Sequence, residues 1–282
     1  MSHERDASFH LGGGVFSLAW ASSIGAGALF VVAWLLPSQY TATALTLALA
    51  VAVGLATAVA CVAWTTRRPR EANERTLVQA LGSPLLAVRP LREAAVRGLC
   101  RQLLDHWLRH GRTLLPVVSA QRGEGRTYSA AQLAAGFATL GEKTLLIDAD
   151  FRSPGLHAAF GVPNRDGLAE YLVGATTNPV PLNENLALLV AGQAGRSPLE
   201  MLGSERLKLL LAAASRHFRV IVVDTPAAAQ GPDLEIFTAL AGGALVVAGR
   251  ADPRPLARLK AALARSSAQA LAIVVNQRQS AA

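Results

Sequence analysis

The sequence predicts an α/β protein: a doubly wound, mostly parallel sheet preceded by an N-terminal transmembrane helical hairpin. Three observations lead there. From Leu114 onward, short apolar runs alternate with helical patterns. Those runs are continuous rather than alternating, as in strands buried on both faces of a parallel sheet. And the first quarter of the 282 residues carries two long, nearly uncharged stretches.

Those two stretches come first. Phe16–Leu36 and Ala42–Trp64 each exceed the roughly 20 residues a helix needs to cross a ~30 Å hydrocarbon core. Only the turn Pro37-Ser38-Gln39-Tyr40 separates them. A cleaved signal peptide is excluded: the first apolar run is too long, few basic residues precede it, and a second span follows at once. Trp20, Trp34 and Trp64 are spread toward interface levels, which favours spans over a pair of buried core helices. Arg67, Arg68, Arg70 and Arg75 crowd the exit of the second span, while the turn has no Lys or Arg. The positive-inside rule then puts both ends in the cytoplasm, so a multi-pass protein of the bacterial inner (cytoplasmic) membrane is expected. Small residues (Ala21, Ser22, Gly25, Gly27; Ala50, Gly54, Ala58) permit close helix packing, within the hairpin or with a partner. The expected layout is a cytoplasmic N-terminus 1–14, the hairpin 15–66, a basic connector 67–90 and a cytoplasmic domain 91–282.

Net charge is +8 and the pI is about 10.4. No RNA- or DNA-binding motif is present, so no nucleic-acid partner is expected. The juxtamembrane arginines are more simply held by anionic inner-membrane lipid. Cys61 and Cys100 are the only cysteines. They have no Cys/His ligand spacing and no sensible disulfide with each other, which argues against a zinc site.

In the body, an amphipathic helix is expected over Arg92–Arg109. Strands follow at Leu114–Ser119, Thr144–Asp148, Leu186–Ala191, Val220–Asp224, Ala244–Ala248 and Leu271–Asn276. Helices are expected near Ser129–Leu140, Leu207–His217, Asp233–Leu240 and Pro255–Ser267. Ligands are expected at the C-terminal ends of the strands.

Three strand ends carry candidate chemistry. The first is Ala120-Gln121-Arg122-Gly123-Glu124-Gly125-Arg126-Thr127, between a strand and a helix, as a phosphate loop requires. Glycine lets main-chain amides turn onto phosphate oxygens, and the helix N-terminus adds its dipole. The usual ending is Gly-Lys-Ser/Thr; here Arg126 holds the lysine position. The second is Asp148-Ala149-Asp150-Phe151-Arg152-Ser153-Pro154. Two carboxylates at an apolar strand's end are costly unless they bind a cation or a proton, or cap the loop. The third is Asp224-Thr225-Pro226. In P-loop enzymes Thr127 would ligate Mg²⁺, and an acid such as Asp224 would hold the ion directly or through water. This makes the domain P-loop NTPase-like, with Ala120 to Thr127 and the adjoining Tyr128 as nucleotide-binding candidates.

In this order, Ser119 to Thr127, Leu146 to Pro154 and Val223 to Pro226 resemble the bacterial tyrosine kinases of capsule and exopolysaccharide biosynthesis. Leu156-His157, Phe160-Gly161, Asn164 to Leu172 and Ser197 to Ser204 extend the likeness over roughly Glu93 to Gln277. The Gly-Glu-Gly-Arg-Thr form is similar to the EpsG-type chain-length-determinant kinases, with a degenerate Walker A motif. The resemblance implies ATP and Mg²⁺ as cofactors and tyrosine phosphorylation linked to polymer chain length. It implies Asp148, Asp150 and Arg126 as catalytic residues, and Thr127, Asp148 and Asp224 as metal ligands. It also implies a polysaccharide co-polymerase partner and a homo-oligomeric ring. Glu93, Arg97 and Arg101 stand near the family's ring-forming glutamate and arginines, at spacings of four rather than three; an ordinary solvated ion-pair ladder explains them equally well.

Two departures set the alternatives. Arginine keeps the charge of lysine, but its bulkier planar fork does not copy a compact ammonium. The tail Asn276 to Ala282 has no tyrosine, and the only tyrosines are Tyr40, Tyr128 and Tyr171. Tyr128 is expected to be buried at a helix start. The chain is therefore either a membrane-anchored tyrosine kinase or a weakly catalytic pseudokinase that uses nucleotide as an assembly signal. A septum-site or partitioning-type ATPase is a third reading; Gln121 stands where that class keeps its signature lysine.

Overall fold

The computed structural model describes residues 47, 49–60, 76–79, 81, 93–109, 111–193, 195, 197–249 and 252–276. The chain divides into two compact units, Met1–Pro69 and Arg70–Ala282.

In the first unit the described residues, 47 and 49–60, are helical. Leu49, Val51, Val53, Leu55 and Val59 are exposed. Among the described residues no helix is long and apolar enough to cross a membrane. The expected location as a multi-pass protein of the bacterial inner membrane is corrected on that ground. The first expected span, Phe16–Leu36, the turn with Tyr40 and most of the connector lie outside the described residues.

The second unit is a seven-stranded sheet in the order β3-β4-β2-β5-β1-β6-β7. The strands are β1 (Leu114–Ser119), β2 (Thr144–Asp148), β3 (Val180–Pro181), β4 (Leu186–Leu189), β5 (Val220–Asp224), β6 (Gly243–Ala248) and β7 (Gln269–Val275). All pairings are parallel except that of β3 with β4. Every residue of β2, β5 and β6 is buried, which is why their sequences are continuous apolar runs.

The helices are α1 (Glu93–His106), α2 (Arg126–Thr139), α3 (Leu156–Ala159), α4 (Leu168–Leu172), α5 (Pro198–Leu202), α6 (Glu205–Ala214), α7 (Asp233–Ala241) and α8 (Pro253–Arg265). They cover both faces of the sheet. On one face α1 and α2 bury Leu99, Leu103, Leu133 and Phe137 against β1 and β5. On the other, α4, α5 and α7 bring Leu168, Leu202 and Phe237 onto Leu145, Ile147, Ile221 and Val223. Helix α1 lies tightly on α2 at Gly136, where a Cβ would approach Val96 Cγ1 to 2.6 Å and Cys100 Sγ to 2.9 Å. Cys100 is wholly buried there. Burial pushes its thiol up to about 12, so it packs as an inert apolar group.

The sheet order places β5 between β1 and β2, with Asp148 in register with Asp224. The C-terminal ends of these three strands therefore share one edge.

Candidate functional site

The phosphate loop forms as its glycines require. Gly123 and Gly125 take φ of 80° and 85°, the left-handed region that glycine enters without cost. Gly125 caps α2, which has no side-chain N-cap. Helix geometry leaves the first-turn amides without intrahelical partners. Glu124 braces the loop: its carboxylate accepts from the Gln121 amide at 2.8 Å and the Gly249 amide at 3.2 Å. Burial pushes the Glu124 carboxyl up, opposed by these amides. Asn276 donates from Nδ2 to the Glu124 carbonyl at 3.0 Å, tying the end of β7 to the loop.

The acidic loop after β2 is held differently. Asp148 Oδ1 accepts from the Asp150 amide at 3.2 Å, and Oδ2 accepts from the amides of Gly155 and Leu156 at 3.1 and 3.0 Å. Asp150 Oδ1 accepts from the Ser153 amide at 3.0 Å. Both carboxylates thus cap their own loop. Asp148 is fully buried. Burial, with the nearby Asp224 charge, pushes its carboxyl up to about 7 against the pull of the three amides.

Arg126 joins the three strand ends. Its side chain is only 7% exposed. Nη2 donates to Asp150 Oδ2 at 2.7 Å, Nε to Asp224 Oδ1 at 2.9 Å, and Nη1 to the Ser119 hydroxyl at 2.9 Å. Ser119 in turn donates to the Gln121 carbonyl at 3.0 Å. Asp224 Oδ2 is buried without a hydrogen bond of normal geometry, although the neighbouring Thr127 hydroxyl favours its ionised form. Burial still pushes Asp224 up, against Arg126 and Thr127.

The structure therefore brings Arg126, Asp148, Asp150 and Asp224 together, with Thr127 beside Asp224. Of the other nucleotide candidates, Gln121, Arg122 and Gly123 are exposed, Ala120 is buried, and Glu124 and Gly125 are partly so. Tyr128 corrects an expectation: it is 50% exposed, because Ser129 and Ala130 take the inward positions of α2's first turns. Glu93, Arg97 and Arg101 are all exposed on α1. Ser119 and Asn276 are missing from the sequence-based site. The signal for Ser119 was a hydroxyl as the last residue of an apolar strand; nothing local marked Asn276.

No family model matches the chain. The "Tyrosine-protein kinase YwqD" of Bacillus subtilis is 32% identical over 166 residues, covering 57% of this chain and 70% of that protein. The chain belongs to the bacterial tyrosine kinase family. Within it, the "Succinoglycan biosynthesis transport protein ExoP" of Rhizobium meliloti is 34% identical over 173 residues; the match takes in 58% of this chain and 22% of that longer protein. Among solved structures, the kinase domain of the Escherichia coli tyrosine kinase ETK aligns with a TM-score of 0.60 at 27% identity, covering 67% of this chain and 78% of that one. For a bacterial tyrosine kinase domain, the unusual feature is a lysine position filled by an arginine that is itself clamped by two acids.

Proposed function

We propose that this chain serves exopolysaccharide or capsule biosynthesis as an ATP-binding, tyrosine kinase-like module that regulates polymer chain length. The observation that carries this reading is the glycine loop opening α2 beside Asp150 and Asp224, in a chain of this family. Ala120 to Tyr128 would hold the nucleotide, with main-chain amides and the α2 dipole meeting its phosphates. A polysaccharide co-polymerase is the proposed partner. The exposed Glu93, Arg97 and Arg101 face of α1 is the proposed contact between copies in a ring.

Magnesium is the family's expected second cofactor, with Thr127, Asp148 and Asp224 as its ligands. Thr127 beside Asp224, and the unbonded Asp224 Oδ2, suit an ion. The rest of the donor set does not. Both oxygens of Asp148 are spent on amides, and Arg126 holds one oxygen each of Asp150 and Asp224. With Arg126 in place these residues do not fit Mg²⁺.

That same clamp favours a second reading, a pseudokinase in which nucleotide binding drives assembly and transfer is weak. Asp150 would be the acceptor for the attacking hydroxyl's proton, and Arg126 already occupies it. Arg126 itself is turned to acids rather than placed as a free charge for a transferring phosphoryl group. A misplaced donor of this kind costs about 10²–10³-fold in rate. The test is phosphotyrosine formation by the full chain, on itself and on an added protein acceptor, alongside ATP binding. Binding with slow transfer that Arg126→Lys accelerates is the expected result. Rapid transfer by the unaltered chain, abolished by Asp150→Asn, would establish an efficient kinase instead.

A further inference from the structure

We propose that Arg126 is a tethered cation standing in for the divalent metal of this site, so that nucleotide binds the loop without Mg²⁺. The proposal rests on the nucleotide-binding reading above and concerns what neutralises the acids there. Magnesium demands near-octahedral oxygen ligation at ~2.0–2.1 Å. One carboxylate oxygen each of Asp150 and Asp224 is bound to a guanidinium at 2.7 and 2.9 Å, the lengths of charge-assisted hydrogen bonds, and Asp224 Oδ2 alone is left without a partner, too few oxygens for that shell. Arg126, Asp150 and Asp224 are 7%, 3% and 0% exposed. Admitting an ion would strand a buried guanidinium without its partners, which is strongly unfavourable.

The geometry also explains why arginine does this and lysine would not. The fork spans two carboxylates from different strand ends and a hydroxyl from a third, each through a different nitrogen. A lysine offers one compact ammonium on a flexible stem and no fixed fork. A guanidinium has five N–H donors. Three are engaged here, each with a group from a different strand end. The remaining acid, Asp148, is committed to the amides of its own loop. Among the described residues no group of three or more His, Cys, Asp or Glu is arranged to hold a metal ion.

The experiment uses the full chain. ATP is titrated calorimetrically with excess Mg²⁺ and again with EDTA. The unaltered protein is expected to bind equally in both, within about twofold, whereas Arg126→Lys gains about tenfold with Mg²⁺. An unaltered chain that binds about tenfold or more tightly with Mg²⁺ overturns the proposal. A second arm needs no nucleotide: the melting temperature is followed as Mn²⁺ is added. The unaltered chain is expected not to shift, while Arg126→Gln, with its acids released, is expected to rise. A rise in the unaltered chain, or none in a folded Arg126→Gln, overturns the proposal. Should that variant not fold, the response of the unaltered chain to Mg²⁺ and Mn²⁺ decides alone. Failure to bind ATP under either condition sinks the nucleotide-binding reading and this proposal's claim about nucleotide, and the Mn²⁺ arm still decides whether Arg126 takes the metal's place.

Discussion

The loops that follow β1 and β2 meet at one edge of the sheet and treat the amides at their helix starts differently. After β2, the protein supplies its own anions. Asp148 takes the amides of Asp150, Gly155 and Leu156, and Asp150 takes that of Ser153. After β1, Glu124 takes the Gln121 amide, and α2 opens on Gly125 with no side-chain cap. The contrast lies at the two helix starts: one loop is closed there by internal charge, and the other carries no side-chain cap where the proposed nucleotide would sit. Arg126 belongs to the open loop by sequence and to the closed one by contact.

Cutting that link has the largest expected effect. Arg126→Ala leaves Asp150 and Asp224 buried without their cation, and removing one partner of a buried pair costs about 3–5 kcal/mol. The urea midpoint should fall accordingly at an unchanged slope. A loss under about 1 kcal/mol, the scale of an exposed ion pair, would mean that the two loops stand independently of the guanidinium.

A smaller change breaks only the open loop. Gly125→Ala forces a side chain to φ 85°, which costs about 1–2 kcal/mol. It also drives a Cβ into Nδ2 of Asn276, the group that ties β7 to the Glu124 carbonyl. ATP affinity should fall by about tenfold or more, with the β2 loop's amide protection in hydrogen exchange unchanged. Equal loss of protection in both loops would show that they open as one unit.

Much of this was legible in the sequence, for identifiable reasons. β1, β2 and β5 begin and end where their apolar runs do, because strands buried on both faces admit nothing else. Helix α2 starts at Arg126, three residues before the apolar pattern suggested, because a left-handed Gly125 rather than an apolar residue opens it. β3 and the helices α3, α4 and α5 are two to five residues long, too short to show a period. At the site, the glycine spacing and the acids at strand ends could be read directly. The direction of Arg126 could not. It depends on how deeply the side chain is buried and on which acids β2 and β5 deliver beside it, and those are properties of the folded sheet.

The closed loop has its own test, in pH. Burial, with the nearby Asp224 charge, pushes the Asp148 carboxyl from an ordinary 3.8 up to about 7. Between those values the folded state holds a proton that the unfolded state has released, so stability falls as pH rises. The favourable contribution is complete below about pH 4 and gone above about pH 7, with a slope of at most ~1.4 kcal/mol per pH unit. Asp224 is also pushed up, and the two face each other in register, so the titration belongs to the pair. Asp148→Asn removes the proton in question. The stability of the unaltered chain, measured relative to this variant by urea unfolding from pH 4.5 to 7.5, should decline with pH. A flat difference would mean that three amides outweigh burial and hold Asp148 as a carboxylate throughout. The loop after β2 would then be closed by a full negative charge, and the demand on Arg126 as its counter-ion would be greater still.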